Sequence, residues 1–218
     1  MIPIVSFIGW QDSGKTTVAH QVVAILKEKG YRVAVIKSTH HTSINFDAEG
    51  TDTDTYRNAC ADSVTLFAPD QMVTISHPPE MKLADIVHRF FHDVDIVICE
   101  GFKNERHIKK IEVNRGSAEL LRDQVNNVIA LVSGENIPGE QPVFHPDNPG
   151  EIAAFIEQQY LAEADRPRLE AALYVNGKKV PMKDFVQEAI AGTVLGFLGS
   201  LKKTESPRSV ELFIRRNS

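Results

Sequence analysis

The chain has 218 residues, 42% of them hydrophobic and 24% charged, which is the usual balance of a soluble globular protein. Its formal net charge of −5 argues against nucleic acid as the main partner, because nucleic-acid-binding domains are usually basic. Two cysteines without C-x-x-C spacing cannot form a disulfide framework and favour a reducing, cytoplasmic compartment. We expect no membrane association, because no apolar segment reaches the ~20 residues needed to span a bilayer and the first residues do not resemble a signal peptide.

The first residues predict a strand, a helix and a second strand in succession. Residues 2–8 are a continuous apolar run, typical of a buried central strand in a parallel sheet. Apolar residues at helical spacing follow over 15–29, and Gly30 ends this helix. A second buried strand is predicted over 31–37. The polar segment 38–55 is predicted to be a long functional loop.

The same alternation continues along the chain. The remaining predicted elements are strands over 64–68 and 72–76, a helix over 83–91, strands over 95–99, 108–113 and 128–132, and a helix from 149 to about 164. Strands alternating with helices predict an α/β fold with a doubly wound, mostly parallel sheet, as in P-loop NTPases. The loop after the first strand would then lie at the carboxyl edge of that sheet.

The polar segment around 164–168 is predicted to be a linker that divides the chain into a nucleotide-binding domain, 1–164, and a C-terminal extension, 165–218. Asn176-Gly177 between two short apolar runs predicts a β-hairpin with a type I′ turn. A helix over 183–201 and a last strand over 210–214 complete a predicted ββαβ appendage. We expect it to have a docking role.

Residues 9–17, GWQDSGKTT, have the spacing of a phosphate-binding loop and stand between a predicted strand and a predicted helix. Gly9 and Gly14 allow the turn and a close approach of the backbone to a polyphosphate. Lys15 would reach the β- and γ-phosphates, and the Thr16 hydroxyl would bind Mg²⁺. The candidate binding residues are Gly9, Trp10, Gln11, Asp12, Ser13, Gly14, Lys15, Thr16 and Thr17.

A nucleotide site of this type needs a carboxylate at the end of another strand to order Mg²⁺. The segment DIVICEG offers Asp95 and Glu100. Asp95 starts its strand and would lie at the wrong edge, whereas Glu100 ends it. We therefore predict Glu100 as the metal ligand and, with Lys15, as a catalytic residue. Lys103, in a nearby basic cluster, is a candidate phosphate contact.

Three further residues have alternative interpretations. His40 and His41 follow the second strand directly and are candidate ligand contacts, but adjacent side chains diverge and make a poor metal pair. Arg57 is either an anion clamp or one half of a surface salt bridge.

Four motifs in this order carry a family resemblance: GWQDSGKTT, IKSTHH at 36–41, DTYR at 54–57 and ICEGFK at 98–103. Over about residues 2–160 the chain resembles the molybdopterin-guanine dinucleotide biosynthesis protein B (MobB) family. The resemblance implies a P-loop protein that binds GTP with Mg²⁺, hydrolyses it weakly and forms a homodimer. It also implies that the protein assists the MobA-type guanylyltransferase that joins GMP to molybdopterin.

The resemblance also assigns positions to individual residues. It implies that Thr39, His40 and His41 lie at the nucleotide-facing edge, that Asp54 and Arg57 lie behind it, and that Lys103 completes the EGFK element. The chain departs from the family at 58–62, NACAD, where a glycine-rich element is usual.

Guanine preference rests on the family alone, because SGEN at 133–136 stands where an [NT]-K-x-D element would read the base. Two alternative functions remain open at this point. A P-loop small-molecule kinase would need an arginine-rich lid, and a metallochaperone GTPase would need a Cys/His ligand set. We expect at most a weak GTPase.

Overall fold

The computed structural model describes residues 2–42, 44, 47–76, 81–116, 119–162, 171–176, 178–202, 207 and 209–214. The strands are β1 Ile4–Ile8, β2 Val33–Lys37, β3 Ser63–Phe67, β4 Met72–Ser76, β5 Ile96–Glu100, β6 Lys109–Val113, β7 Val128–Val132, β8 Val143–Phe144, β9 Leu173–Val175 and β10 Lys178–Val180. The helices are α1 Lys15–Glu28, α2 Asp52–Asn58, α3 Leu83–Phe90, α4 Pro149–Ile156 and α5 Asp184–Leu198.

Six strands form one sheet in the order β2-β5-β1-β6-β7-β8, and every neighbouring pair in it is parallel. The central strands are apolar runs because both of their faces are covered, as parallel sheets require. Burial is complete along most of β1 and β5. The predicted α/β fold with a mostly parallel sheet is therefore confirmed.

Helices α1 and α4 pack on the sheet and close the core. Val18, Val22 and Leu26 of α1 and Ile152 and Ile156 of α4 are buried in one cluster with the strands. These positions recur at helical spacing, which is why one face of each helix can be buried. The predicted long helix from 149 is correct at its start, but its α-helical part ends at Ile156 and a π-helical turn follows over Glu157–Leu161.

The chain divides into two compact units, one of residues 1–38 with 84–218 and one of residues 39–83. The smaller unit contains α2 and the antiparallel hairpin of β3 and β4, which is closed by a hydrogen bond from Ala68 N to Gln71 O of 2.8 Å. The prediction of a loop through residue 55 was wrong at its end. Thr51 Oγ1 accepts from Asp54 N at 3.2 Å and caps α2, so the helix begins at Asp52.

The C-terminal extension contains the predicted hairpin of β9 and β10 and the predicted helix, here α5. The predicted last strand is not formed: residues 210–214 have no regular secondary structure and pair with no strand that the structure describes. Gly177 and the 164/165 boundary lie outside the described residues. No helix within the described ranges combines the length and apolar character needed to cross a membrane.

The two cysteines provide a chemical test of this strand order. Cys99 is fully buried on β5, and burial raises the pKa of its thiol to about 12, whereas Cys60 is exposed. Because the thiolate is the reactive form, we expect one fast-reacting thiol in the native protein and two after unfolding, counted with a thiol reagent at mildly alkaline pH. Cys60→Ser should remove the fast reaction. Rapid native labelling of Cys99 in that variant would contradict a central β5.

Candidate functional site: the phosphate loop and the end of strand β5

The segment between β1 and α1 is wound into a tight loop with its backbone in the left-handed region at two positions. Asp12 has φ 59° and Gly14 has φ 84°, and Ser13 N donates to Trp10 O at 3.3 Å. Gly14 is the residue before the first turn of α1, so the free N–H groups of the helix N-terminus face the loop. This arrangement brings several backbone N–H donors together and favours the binding of an anion in the loop.

Two observations indicate that the interior of the loop can accept an anionic ligand. A Cβ at Gly9 would overlap the Ser13 side chain and lie 2.5 Å from the Val113 carbonyl oxygen, so only glycine allows this close approach. The buried Ser13 hydroxyl has no hydrogen-bond partner among the described residues. A buried donor of this kind costs free energy unless a partner satisfies it.

Lys15 lies over the loop. Its Nζ donates to Trp10 O at 3.1 Å, which holds the ammonium beside the backbone that would surround a polyphosphate. Among the described residues its hydrogen-bond partner is this one neutral carbonyl, so the ammonium charge is available to an anion entering the loop.

Glu100 ends β5 at the same edge of the sheet. It is 9% exposed and lies in register with Phe7 of β1 and Lys37 of β2. Its Oε1 accepts a hydrogen bond from Thr16 Oγ1 at 2.9 Å and is 3.1 Å from Lys37 Nζ. A hydroxyl and a carboxylate brought together in this way are oxygen ligands of the kind that Mg²⁺ takes.

Lys37 was missed by sequence reasoning as a functional candidate. It closes β2 and pairs with Glu100, so it supplies the charge that a nearly buried carboxylate needs. The two residues are 63 positions apart in the chain and meet only because β5 lies beside β2. No local signal in the sequence indicates that contact.

Asp95, the other candidate carboxylate, lies at the opposite edge of the sheet and has a different partner. It accepts from Arg32 N at 2.7 Å and from Arg32 Nη2 at 2.8 Å. This hydrogen bonding raises the pKa of the Arg32 guanidinium. Asp95 thus joins the starts of β2 and β5 and lies far from the loop end of both strands.

The segment after β5 brings Lys103 to the phosphate loop. Ser6 Oγ donates to Gly101 O at 2.5 Å, and Gly101 has φ 94°, so the chain turns sharply after Glu100. Lys103 Nζ then lies 5.4 Å from the centroid of the Trp10 ring, a cation–π contact. Trp10 Nε1 donates to Glu119 O at 3.0 Å, and this hydrogen bond holds the N–H edge of the indole ring.

Glu112 was also missed, and it supports the loop that contacts Trp10. It is fully buried on β6, and its two carboxylate oxygens accept from Leu121 N at 2.7 Å and Arg122 N at 2.8 Å. These bonds cap the short 3₁₀ turn Leu121–Asp123. The turn follows directly after the Glu119 carbonyl that holds the indole.

The remaining candidates lie in the unit of residues 39–83. His40 and His41 are exposed, and His41 N donates to Thr39 Oγ1 at 3.1 Å. Asp54 is buried and accepts from Arg57 Nη2 at 2.5 Å and from Gly50 N at 3.0 Å. The Arg57 guanidinium thus takes part in an internal ion pair, and its role as an anion clamp stays a prediction.

Comparison with known proteins matches this chain to one family. The family model described as molybdopterin guanine dinucleotide synthesis protein B matches residues 4–134, more than half of the chain. The molybdopterin-guanine dinucleotide biosynthesis adapter protein of Escherichia coli is 32% identical over 142 residues, which cover 61% of this chain and 79% of that protein.

Two further matches concern the fold and the extension. A crystal structure of molybdopterin-guanine biosynthesis protein B, 29% identical, covers 72% of this chain and 99% of that one with a TM-score of 0.59. A relative from Methanocaldococcus jannaschii, which carries the adapter name in provisional form, is 28% identical over 233 residues, covering 97% of each chain. The last match therefore extends into the C-terminal extension.

Two glycines test the geometry of the phosphate loop. Gly9→Ala should lower the free energy of unfolding by about 1–3 kcal/mol, the usual cost of forcing an atom into packed space. A Cβ at Gly150 in α4 meets nothing within 4 Å, so Gly150→Ala should keep the free energy of unfolding or raise it by up to about 1 kcal/mol, the usual gain when a helical glycine becomes alanine. Thermal and urea unfolding measure both. Equal stabilities of the two variants would contradict the close approach at Gly9.

Proposed function

The chain belongs to the MobB family, and on that basis we propose that it is an adapter in molybdopterin guanine dinucleotide biosynthesis that holds Mg²⁺·GTP for a guanylyltransferase. One observation carries the proposal: the phosphate loop and the Thr16–Glu100 pair lie at the same edge of the sheet. Bound Mg²⁺·GTP would supply the guanylyl group and the triphosphate charge. The chain's own residues would bind and orient it.

The roles of the residues follow from their positions. Gly9 and Gly14 would let the backbone approach the phosphates, and Lys15 would turn from the Trp10 carbonyl to the β- and γ-phosphates. Thr16 and Glu100 would order the metal. Lys15, Lys37 and Lys103 supply positive charge at this edge. We expect slow hydrolysis, because fast GTPases align a catalytic arginine on the terminal phosphate, and none of the contacts among the described residues assigns an arginine to that place.

Loss of the phosphate-loop cation tests nucleotide binding. Lys15→Ala should abolish binding of Mg²⁺·GTP measured by calorimetry, because it removes the ammonium that lies over the loop and would neutralise the β- and γ-phosphates. Lys27→Ala, an exposed lysine near the end of the same helix, is the matched control and should bind like the parent. Tight binding retained by Lys15→Ala would refute the assigned site.

The adapter role is tested with a guanylyltransferase and molybdopterin. We expect the chain to increase the yield of molybdopterin guanine dinucleotide, and Lys15→Ala to lose that effect while Lys27→Ala keeps it. Rapid phosphorylation of an added small molecule by the chain alone would contradict the adapter function and favour a kinase. The same assays with ATP in place of GTP test whether the chain prefers GTP.

We also propose a homodimer, supported by the surface of the β3–β4 hairpin. Leu66, Phe67, Met72 and Val73 are exposed there, and Phe67 is 80% exposed. An isolated two-stranded hairpin is marginal in water, so apolar side chains on it favour association. Light scattering should give a dimer for the parent and a monomer for Phe67→Asp. Phe185→Asp changes an aromatic on α5 that is 67% exposed, and this variant should remain dimeric. The reverse result would assign the interface to the extension.

A further inference from the structure

We propose that Glu135, in the loop after β7, is the residue that recognises the guanine base. The inference rests on the proposed function, because it concerns the nucleoside end of the same ligand. It assigns a specificity to a segment, SGEN at 133–136, that lacks the usual guanine-binding motif.

The orientation that a bound nucleotide would take follows from the side of the phosphate loop on which the metal ligands lie. Thr16 and Glu100 would hold the metal, so the terminal phosphates of a bound triphosphate would lie on their side of the loop. Glu100 belongs to β5, which neighbours β1 on one side, and β6 neighbours β1 on the other. The nucleoside would therefore extend from the phosphate loop toward β6, β7 and β8.

The loops that follow these three strands lie side by side at the carboxyl edge. Val113 at the end of β6 faces Gly9 of the phosphate loop. Asn114 N then donates to Val132 O, and Ser133 N donates to Phe144 O, each at 2.9 Å. A ligand that leaves the phosphate loop on this side meets the loops after β6, β7 and β8 in succession, as ligands do in open parallel sheets.

Glu135 is placed to face such a ligand. The buried Ser133 Oγ accepts from Glu135 N at 3.0 Å and fixes the turn after β7. Glu135 Oε1 lies 3.4 Å from the position a Cβ would take at Gly116, in the loop after β6, so the carboxylate is directed back toward the phosphate-loop side. Asp147, the acid in the loop after β8, contacts His145 instead, and its side chain is 86% exposed.

The hydrogen-bonding groups at this place are complementary to guanine. Guanine donates from N1–H and its 2-amino group, and one carboxylate accepts both bonds. Adenine presents an acceptor at N1 and has no 2-amino group, so the same carboxylate would face a lone pair. His145 Nε2 lies 3.8 Å from the position a Cβ would take at Gly134, so an imidazole ring with hydrogen-bonding nitrogens stands beside the same turn, where it can face O6 of the base.

The experiment compares four Mg²⁺-bound nucleotides, GTP, ITP, XTP and ATP, with the parent, Glu135→Gln and Asp147→Asn. Binding is measured by calorimetry and by the fluorescence of Trp10, the single tryptophan. The parent should prefer GTP to ITP, which lacks the 2-amino group. Glu135→Gln should lose about 10- to 100-fold in GTP affinity, the usual worth of a bidentate pair, and should gain affinity for XTP. The side-chain amide introduced by Glu135→Gln can donate a hydrogen bond to the C2 carbonyl of xanthine. Asp147→Asn should keep the parent's order of preference.

The outcomes separate this inference from the proposed function. If the parent binds Mg²⁺·GTP through Lys15 but Glu135→Gln keeps the parent's GTP-to-XTP ratio, the base assignment is overturned and the proposed function stands. A shift of that ratio in Asp147→Asn alone would also overturn it and would move the acceptor to the loop after β8. If the parent binds none of the four nucleotides, both fail.

Discussion

The parallel pairing of β1 with β5 on one side and with β6 on the other is the constraint on which the candidate site depends. It places the end of β1, where the phosphate loop begins, level with Glu100 and with Val113. A glycine at position 9 is needed because the Val113 carbonyl and the Ser13 side chain occupy the space around it. The loop is therefore shaped by its neighbours in the sheet as much as by its own sequence, and the donors of α1 face whatever lies inside it.

Charge at this edge is arranged around one nearly buried carboxylate. Glu100 accepts from Thr16 and pairs with Lys37, so it is compensated without an external cation. On the other side of the loop, Trp10 lies between the Lys103 ammonium and the Glu119 carbonyl. The Glu119 segment in turn depends on buried Glu112, which caps the turn that follows it. The binding residues of the loop are thus supported by Lys37, the Glu119 carbonyl and Glu112, which hold their neighbours in place, and precise sites are usually held in this way.

The amino-acid sequence predicts much of the fold because its strongest signals are local. Strands β1 and β5 are recognisable from their apolar runs, and α1 is recognisable from its helical spacing of apolar residues. The glycine spacing in 9–16 predicts the phosphate loop between β1 and α1. Strand order is not local, so the Lys37–Glu100 pair and the Glu112 cap were not predicted. The start of α2 was missed because the polar composition of residues 38–55 indicated a loop, whereas the hydrogen bond from Asp54 N to the Thr51 side chain allows a helix to begin there. The last strand of the extension was predicted from a short segment by itself, and such a segment does not supply a partner strand.

The central claim is that this edge of the sheet holds Mg²⁺ and a guanosine triphosphate. The most direct measurement is a crystal structure of the chain with Mg²⁺ and a non-hydrolysable GTP analogue. We expect Lys15 Nζ to leave the Trp10 carbonyl for the terminal phosphates and the metal to lie beside Thr16 Oγ1 and Glu100. A triphosphate bound elsewhere, or a metal ordered without either residue, would contradict it.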